Sequence, residues 1–198
     1  MSRQVGAVRS EQVVLLSEDA TAIGAADRVT VHHSNTPLHL AFSCYLFNQH
    51  GQLLLTRRAL SKLTWPGVWT NSFCGHPQPS EDPIDAIHRR AEYELGAQVT
   101  DIAPVLPDFR YMAIDASGIV ENEVCPVFSA TIQGPLQPRA EEVSQWQWVD
   151  PVAITRAVRL TPFAFSPWMV EQLNLFDPSS LRHDATSLRS NSTVMGTP

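Results

Sequence analysis

The chain has 198 residues, 43% of them hydrophobic and 17% charged. That fits a folded domain with its own core and excludes a disordered chain. Lys and Arg total 14 against 20 Asp and Glu, a formal net charge of −6, so no broad nucleic-acid face is expected, only room for a small anion pocket.

Residues 1–10 read as a loose N-terminus, with Arg3 and Arg9 but no apolar block of signal-peptide type. Residues 11–176 read as a single domain. The segment 177–198, rich in Ser, Thr, Asn and Pro, reads as a disordered tail. No run of 18 apolar residues occurs, which excludes a membrane-spanning helix on length. Cys44, Cys74 and Cys125 have no framework spacing, so free thiols in a cytoplasmic protein are expected.

Within the domain, strand and helix signals alternate. Gln12 to Leu16 is a short β-type run, and Leu38 to Phe47 reads as one buried strand. Asn48-Gln49-His50-Gly51 turns the chain into a partner strand, Gln52 to Thr56. After the Trp65-Pro66-Gly67 loop, Val68 to Phe73 is a short strand. Pro83 to Leu95 is the clearest helix, with Asp82 as cap, Gly96 at its end, and Ile84, Ile87, Ala91 and Leu95 on one face. Strands are predicted at Gln98 to Ile102, Asp108 to Ile114, Ile119 to Ile132 and Gln145 to Val149. Asp150-Pro151 and Ser166-Pro167 start two more helices. The pattern predicts an α/β (α+β) chain, a mixed sheet with helices packed on its faces.

Four groups can carry chemistry. His32, His39 and His76 are candidate metal ligands, with Pro37 breaking the stretch between the first two; on their own, histidines are more often ordinary polar surface residues. Glu121 and Glu123 would face one side of an extended segment, where like charges call for a cation or a shared proton; a solvated edge strand fits them too. Cys74 and His76 share an i, i+2 spacing that suits a reactive thiol or a buried free cysteine. Arg58, Lys62, Arg89 and Arg90 suit a phosphate-bearing ligand or ordinary salt bridges such as Arg90 with Glu94. Trp65, Trp69 and Trp168 line a pocket or fill a core.

Gly75 to Ala97 resembles a Nudix box, with Gly75, Glu81, Arg89, Glu94 and Gly96 in register. Arg90 and Tyr93 stand where Nudix hydrolases carry Glu, so pyrophosphate hydrolysis is not expected. Further stretches resemble type I isopentenyl diphosphate isomerases. They include residues 38–43 and 56–62, Trp65-Pro66-Gly67-Val68-Trp69-Thr70-Asn71-Ser72, Cys74-Gly75-His76-Pro77, residues 118–128 and Phe165-Ser166-Pro167-Trp168-Met169-Val170. The resemblance runs from about Gln12 to about Phe176 and implies a Nudix fold, a mixed sheet sandwiched between helices with added N-terminal strands.

The resemblance also implies a function, the reversible isomerisation of isopentenyl diphosphate to dimethylallyl diphosphate. His32, His39, His76, Glu121 and Glu123 would hold Mn2+ or Zn2+. His33 is the neighbouring alternative to His32, whose spacing to His39 is the better one. Glu123 would serve as acid–base group with Tyr111 as hydroxyl partner, and Cys74 would move the proton on the opposite face, as a thiolate base in the forward direction. Trp168 would steady the carbocation. Glu94 and the main-chain carbonyl of Cys74 would bind Mg2+ with the diphosphate, and Arg58, Lys62 and Arg90 would hold its oxygens. Arg28 stands where the family often has Lys and is expected to face the diphosphate. The small-molecule substrate would be the partner, with a monomer favoured. A Nudix hydrolase and an inactive binding module of the same fold are the alternatives.

Overall fold

In the computed structural model, which describes residues 11–181, the chain builds two β-sheets that meet along one seam. The expected features of 1–10 and 182–198 lie outside the described residues.

The smaller sheet has five strands. β1 (Gln12–Leu16) pairs antiparallel with β2 (Ala22–Asp27), and β1 also meets β3 (His39–Leu40). β2 was not expected: Ala, Gly and Asp are poor strand formers, and its side chains are largely exposed on an edge. β4 (Phe42–Phe47) and β5 (Leu53–Arg58) belong to the larger sheet. The Asn48–Gly51 turn joins them as predicted, with Asn48 Oδ1 accepting the His50 and Gln52 N–H groups. The predicted strand at 68–73 is two short ones, β6 (Trp69–Thr70) on β5 and β7 (Phe73–Gly75) on β4.

α1 (Pro83–Leu95) forms as predicted: Asp82 accepts the Ile84 N–H, and Gly96 closes the helix at φ 57°. Its buried face is Ala86, Ile87, Arg90, Ala91, Glu94 and Leu95; Ile84, at 36% exposure, stands at the rim rather than inside. β8 (Gln98–Leu106) runs longer than expected, followed by β9 (Arg110–Ile114).

The predicted strands 38–47 and 119–132 each prove to be two. β10 (Val120–Val124) lies between β3 and β9 in the small sheet, whereas β11 (Val127–Gln133) lies between β4 and β8 in the large one. These two stretches run parallel, His39 beside Glu123 and Ser43 beside Val127, and cross between the sheets at the same level. The Ala41 N–H bonds Val124 O, and the Ser43 N–H bonds Pro126 O.

β12 (Val143–Val149) closes the large sheet on β5. α2 (Pro151–Leu160) is capped by Asp150, and α3 (Pro167–Leu175) follows a 3-10 turn at Pro162–Ala164. Ser166 precedes α3 but does not cap it through its side chain; its hydroxyl bonds Thr70 Oγ at 2.7 Å.

Alternation along β4 fixes the layers. Phe42, Cys44 and Leu46 pack in one core with Ala86, Ile87, Ala91 and Leu95 of α1. Tyr45 and Phe47 pack in the other with Val158 of α2 and Trp168, Met169 and Leu173 of α3. The large sheet is thus sandwiched between helices as expected, and the second sheet adds itself at one end. No helix among the described residues is long and apolar enough to cross a membrane.

Candidate active site

Four chain segments converge at the seam. His32 lies in the loop after β2, His39 begins β3, Glu123 is its neighbour in β10, and His76 follows β7. One ligand atom from each lies within 4.8 Å of the others. The imidazole centroids are 5.0 to 5.6 Å apart. His39 Nδ1 bonds the Pro37 carbonyl at 2.9 Å, which fixes the ring and leaves Nε2 free. Nε2 of His32 is buried without a hydrogen-bond partner, and Nε2 of His39 faces Glu123 Oε1 at a long 3.4 Å. Buried polar atoms are rarely left so, and three imidazoles with a carboxylate are the donor set of a zinc- or manganese-type ion. The residues therefore fit a metal. His33 is exposed, and its Nδ1 accepts the Asn35 N–H, so it serves its own turn.

Charge in this group is finely divided. Burial, reinforced by His76 and His39, moves His32 down to about 4. Burial also lowers His76. Burial pulls His39 the same way, but the hydrogen bond and charge of Glu123 outweigh it and raise it. Glu123 is 4% exposed; burial alone would raise its carboxyl, yet bonds from His39 and His76 hold it well below the carboxylate range.

Glu121, expected as a fifth ligand, sits beside this group rather than in it. Its Oε1 accepts from Thr64 at 2.7 Å and its Oε2 from the Tyr111 hydroxyl at 3.1 Å. Tyr111 thus partners Glu121, not Glu123 as expected. Burial and the neighbouring Glu123 charge push the Glu121 carboxyl up to about 7. Both carboxylates face inward, and β10 is an interior strand, so the solvated-edge alternative falls.

Cys74 lines the same cavity of about 110 Å3, together with Tyr111, Glu121, Glu123 and Trp168. Its sulfur lies 3.3 Å from Ser43 Oγ and 3.3 Å from Asn71 Nδ2. Burial pushes the thiol up to about 12, the reverse of the thiolate expected from the sequence. Asn71 Oδ1 accepts from Trp168 Nε1 at 2.9 Å, so one buried amide tethers both the thiol and the indole. Trp168 stands edge-on to Trp65 and tilted against Tyr111, with the Arg58 guanidinium 5.5 Å over its ring.

The same cavity is also lined by Arg28, Arg58, Lys62 and Arg90, with Glu94 and Glu142. Each cation already has a protein partner. Arg28 meets Glu11 at 2.6 Å, Arg58 bonds Thr64 O, Lys62 pairs with Glu142, and Arg90 Nε bonds Glu94 at 3.0 Å. Gly75 is needed here: a Cβ would come within 2.7 Å of Arg90 Cγ and 3.0 Å of the Phe42 ring.

A NUDIX domain model matches residues 37–169. The chain is 58% identical over 174 residues to an isopentenyl-diphosphate Delta-isomerase of Clavibacter sepedonicus, covering 88% of this chain and 92% of the relative. The chain belongs to the isopentenyl-diphosphate Delta-isomerase family. The same family name attaches to a Leifsonia xyli relative, 59% identical over 165 residues (82% of this chain, 89% of the relative), and to one from Salmonella heidelberg, 56% identical over 162 residues (82% and 90%). Two solved structures share the fold at low identity. A Deinococcus radiodurans protein gives a TM-score of 0.63 at 19% identity (83% of this chain, 98% of that one), and a Methanosarcina mazei MutT protein gives 0.55 at 17% (73% and 96%).

Within this isomerase frame the Nudix box keeps its scaffold and changes its charge. Arg89 forks onto both Glu81 oxygens at 2.7 Å and bonds His76 O, which fixes the loop before α1. Arg90, in a hydrolase acid's place, is a buried cation held by Glu94. Sequence reasoning missed Glu142, Ser43, Asn71, Thr64 and Glu11. Glu142 sits in the ordinary charged run Arg139-Ala140-Glu141-Glu142, and only folding shows it 8% exposed beside Lys62. Asn71 stands inside the tryptophan motif, where a buried amide next to a thiol was the available signal.

Proposed function

We propose that the chain interconverts isopentenyl and dimethylallyl diphosphate through residues of this cavity. The observation that carries the reading is the meeting of Cys74, Glu123 and Trp168 in one buried space that Arg28, Arg58, Lys62 and Arg90 also line. Shifting the double bond needs a proton delivered to carbon 4 and one removed from carbon 2, through a tertiary carbocation. Cys74 as a thiol and Glu123 as a carboxylate hold one transferable proton between them, so one donates while the other accepts. Tyr111 and Thr64 hold Glu121 beside that pair. The Trp168 face steadies the cationic intermediate. Arg28, Arg58, Lys62 and Arg90 exchange their carboxylate and carbonyl partners for diphosphate oxygens.

His32, His39, His76 and Glu123, with Glu121 adjacent, would hold Mn2+ or Zn2+; Glu94 and the Cys74 carbonyl would hold Mg2+ with the diphosphate. The bound metal supplies Lewis acidity that polarises the acid–base carboxylate. Residues 11–176 form the catalytic unit. All groups named come from one chain, so a monomer suffices, and a cytoplasmic setting keeps Cys44, Cys74 and Cys125 as free thiols.

The test is proton NMR of isopentenyl diphosphate incubated with the protein, Mg2+, and Mn2+ or Zn2+. Two growing allylic methyl signals with the diphosphate intact support the isomerase. Release of phosphate or pyrophosphate would support a hydrolase, and no change with metal bound would support a binding module.

A further inference from the structure

Cys74 stands at the end of a buried chain of polar side chains that the proton-transfer scheme above does not use. The Tyr45 hydroxyl donates to Gln172 Oε1 at 2.9 Å. Gln172 Nε2 donates to Ser43 Oγ at 2.9 Å. With its oxygen receiving that bond, Ser43 has its own hydrogen left to give, and the Cys74 sulfur is its nearer sulfur neighbour, at 3.3 Å against 3.5 Å for Cys125. Tyr45, Gln172 and Ser43 are all fully buried, so no water competes for these bonds.

Ser43 faces Cys74 across the β4–β7 pairing, which makes the contact a consequence of register. Gln172 lies one helical turn after Trp168 on α3, so the two side chains share a face. Trp168 reaches the sulfur through Asn71, and Gln172 reaches it through Ser43. One helix thereby addresses one sulfur by two routes.

We infer that Ser43 and Gln172, backed by Tyr45, are positioning residues for the isomerisation: the chain aims the Ser43 hydroxyl at the Cys74 sulfur and, with the Asn71 amide 3.3–3.4 Å from the same sulfur, fixes the sulfur's orientation at the cavity wall. This rests on the isomerase reading. A core made only to be stable would be served as well by apolar groups of the same shape. A directed chain ending on a reactive sulfur acts on the proton-transfer step instead. It touches no atom of the substrate, so it leaves binding alone.

The test uses the full chain with metals in the isomerisation assay. Ser43→Ala is expected to lower kcat about tenfold or more with KM within about twofold, the scale of a lost hydrogen bond to a group that bears charge in the reaction. Gln172→Met should lower kcat about threefold, and the double variant should fall no further than Ser43→Ala, because Gln172 acts through Ser43. Ser43→Thr, which keeps the hydroxyl, should recover kcat to within about threefold of wild type and reports on the chain should Ser43→Ala fail to fold. Unchanged kcat in folded Ser43→Ala, a loss carried by KM, a Ser43→Thr variant as slow as Ser43→Ala, or losses that multiply in the double variant would overturn the chain and leave the isomerase intact. A wild-type protein that does not convert isopentenyl diphosphate would overturn the isomerase reading itself.

Discussion

Metal addition to metal-free protein should raise its melting temperature, with a pH dependence that the site dictates. The candidate ligands His32, His39, His76 and Glu123 come from four separate segments, so the unfolded chain does not present them together. A ligand bound only by the folded state stabilises by RT ln(1 + [L]/Kd), about 2.7 kcal/mol at 100 times Kd. For a chain of this size 1 kcal/mol moves Tm by about 2–4 °C, so saturating Mn2+ or Zn2+ should raise Tm by about 5–10 °C. His39 titrates above the ordinary histidine value, so protons compete for it first as pH falls. The metal-induced rise should be large near pH 8 and shrink toward pH 6. Metal-free protein runs the other way at this residue. A raised folded pKa contributes stability that is full below the unfolded value and is lost as pH rises through the folded one. Glu123, depressed in the folded state, contributes stability above its unfolded value that is lost as pH falls through its folded pKa. Scanning calorimetry at several pH values, with chelator and with metal, measures all three effects. A Tm that ignores metal, a rise that grows on acidification, or an equal rise in His39→Ala would refute the four-ligand site.

Other consequences follow from the same contacts. Cys74→Ala and Glu123→Gln should each lower turnover by about 100-fold or more while circular dichroism stays unchanged, since on the proposed function each removes a proton-transfer group. Glu142→Gln frees Lys62 from its carboxylate, so inhibition by Mg2+–pyrophosphate should tighten by about two- to fivefold, the scale of a partly exposed ion pair; weaker inhibition would make Glu142 a support rather than a competitor. Asn71→Ala leaves the Trp168 N–H and the Phe73 and Cys44 carbonyls without their amide partner and should cost about 2–4 kcal/mol by denaturant titration; a cost under about 0.5 kcal/mol would show the tether to be idle.

Local signals carried much of the fold because they act within a few residues. Asp82 and Gly96 bound α1, Asn48 to Gly51 turn the β4–β5 hairpin, and Asp150 caps α2, each by a bond the sequence spacing already implies. The two sheets were illegible for the same reason. Ala41 and the pair Cys125-Pro126 mark crossings between sheets inside apolar runs, and an apolar run bears no mark of which sheet each half joins. β2 was missed because its composition carries little strand preference and its partner β1 supplies the order. At the site, the histidines and carboxylates were visible as residue types, but their division of labour was not. Thr64 and Tyr111 claim Glu121, and the neutral thiol of Cys74 follows from burial that no spacing encodes.

On the proposed function, the seam between the sheets is what lets a Nudix scaffold support proton chemistry. Gly75, Arg89 and Gly96 keep the box's loop–helix geometry, yet Arg90 puts a buried cation where hydrolases carry an acid. A cation there favours holding a diphosphate over activating water against it. The metal-type donors move instead to the added sheet, which supplies His39 and Glu123 as parallel neighbours and His32 from the loop between β2 and β3. The large sheet supplies Cys74 and, through α3, Trp168. An allylic proton shift needs one proton group on each side of a flat carbon skeleton, and the two sheets, meeting at the ends of their interior strands, each bring one candidate group, Cys74 and Glu123, to the cavity. On the proposed function, the second sheet is thus the part of the fold that would convert a diphosphate-binding frame into a site for carbocation chemistry.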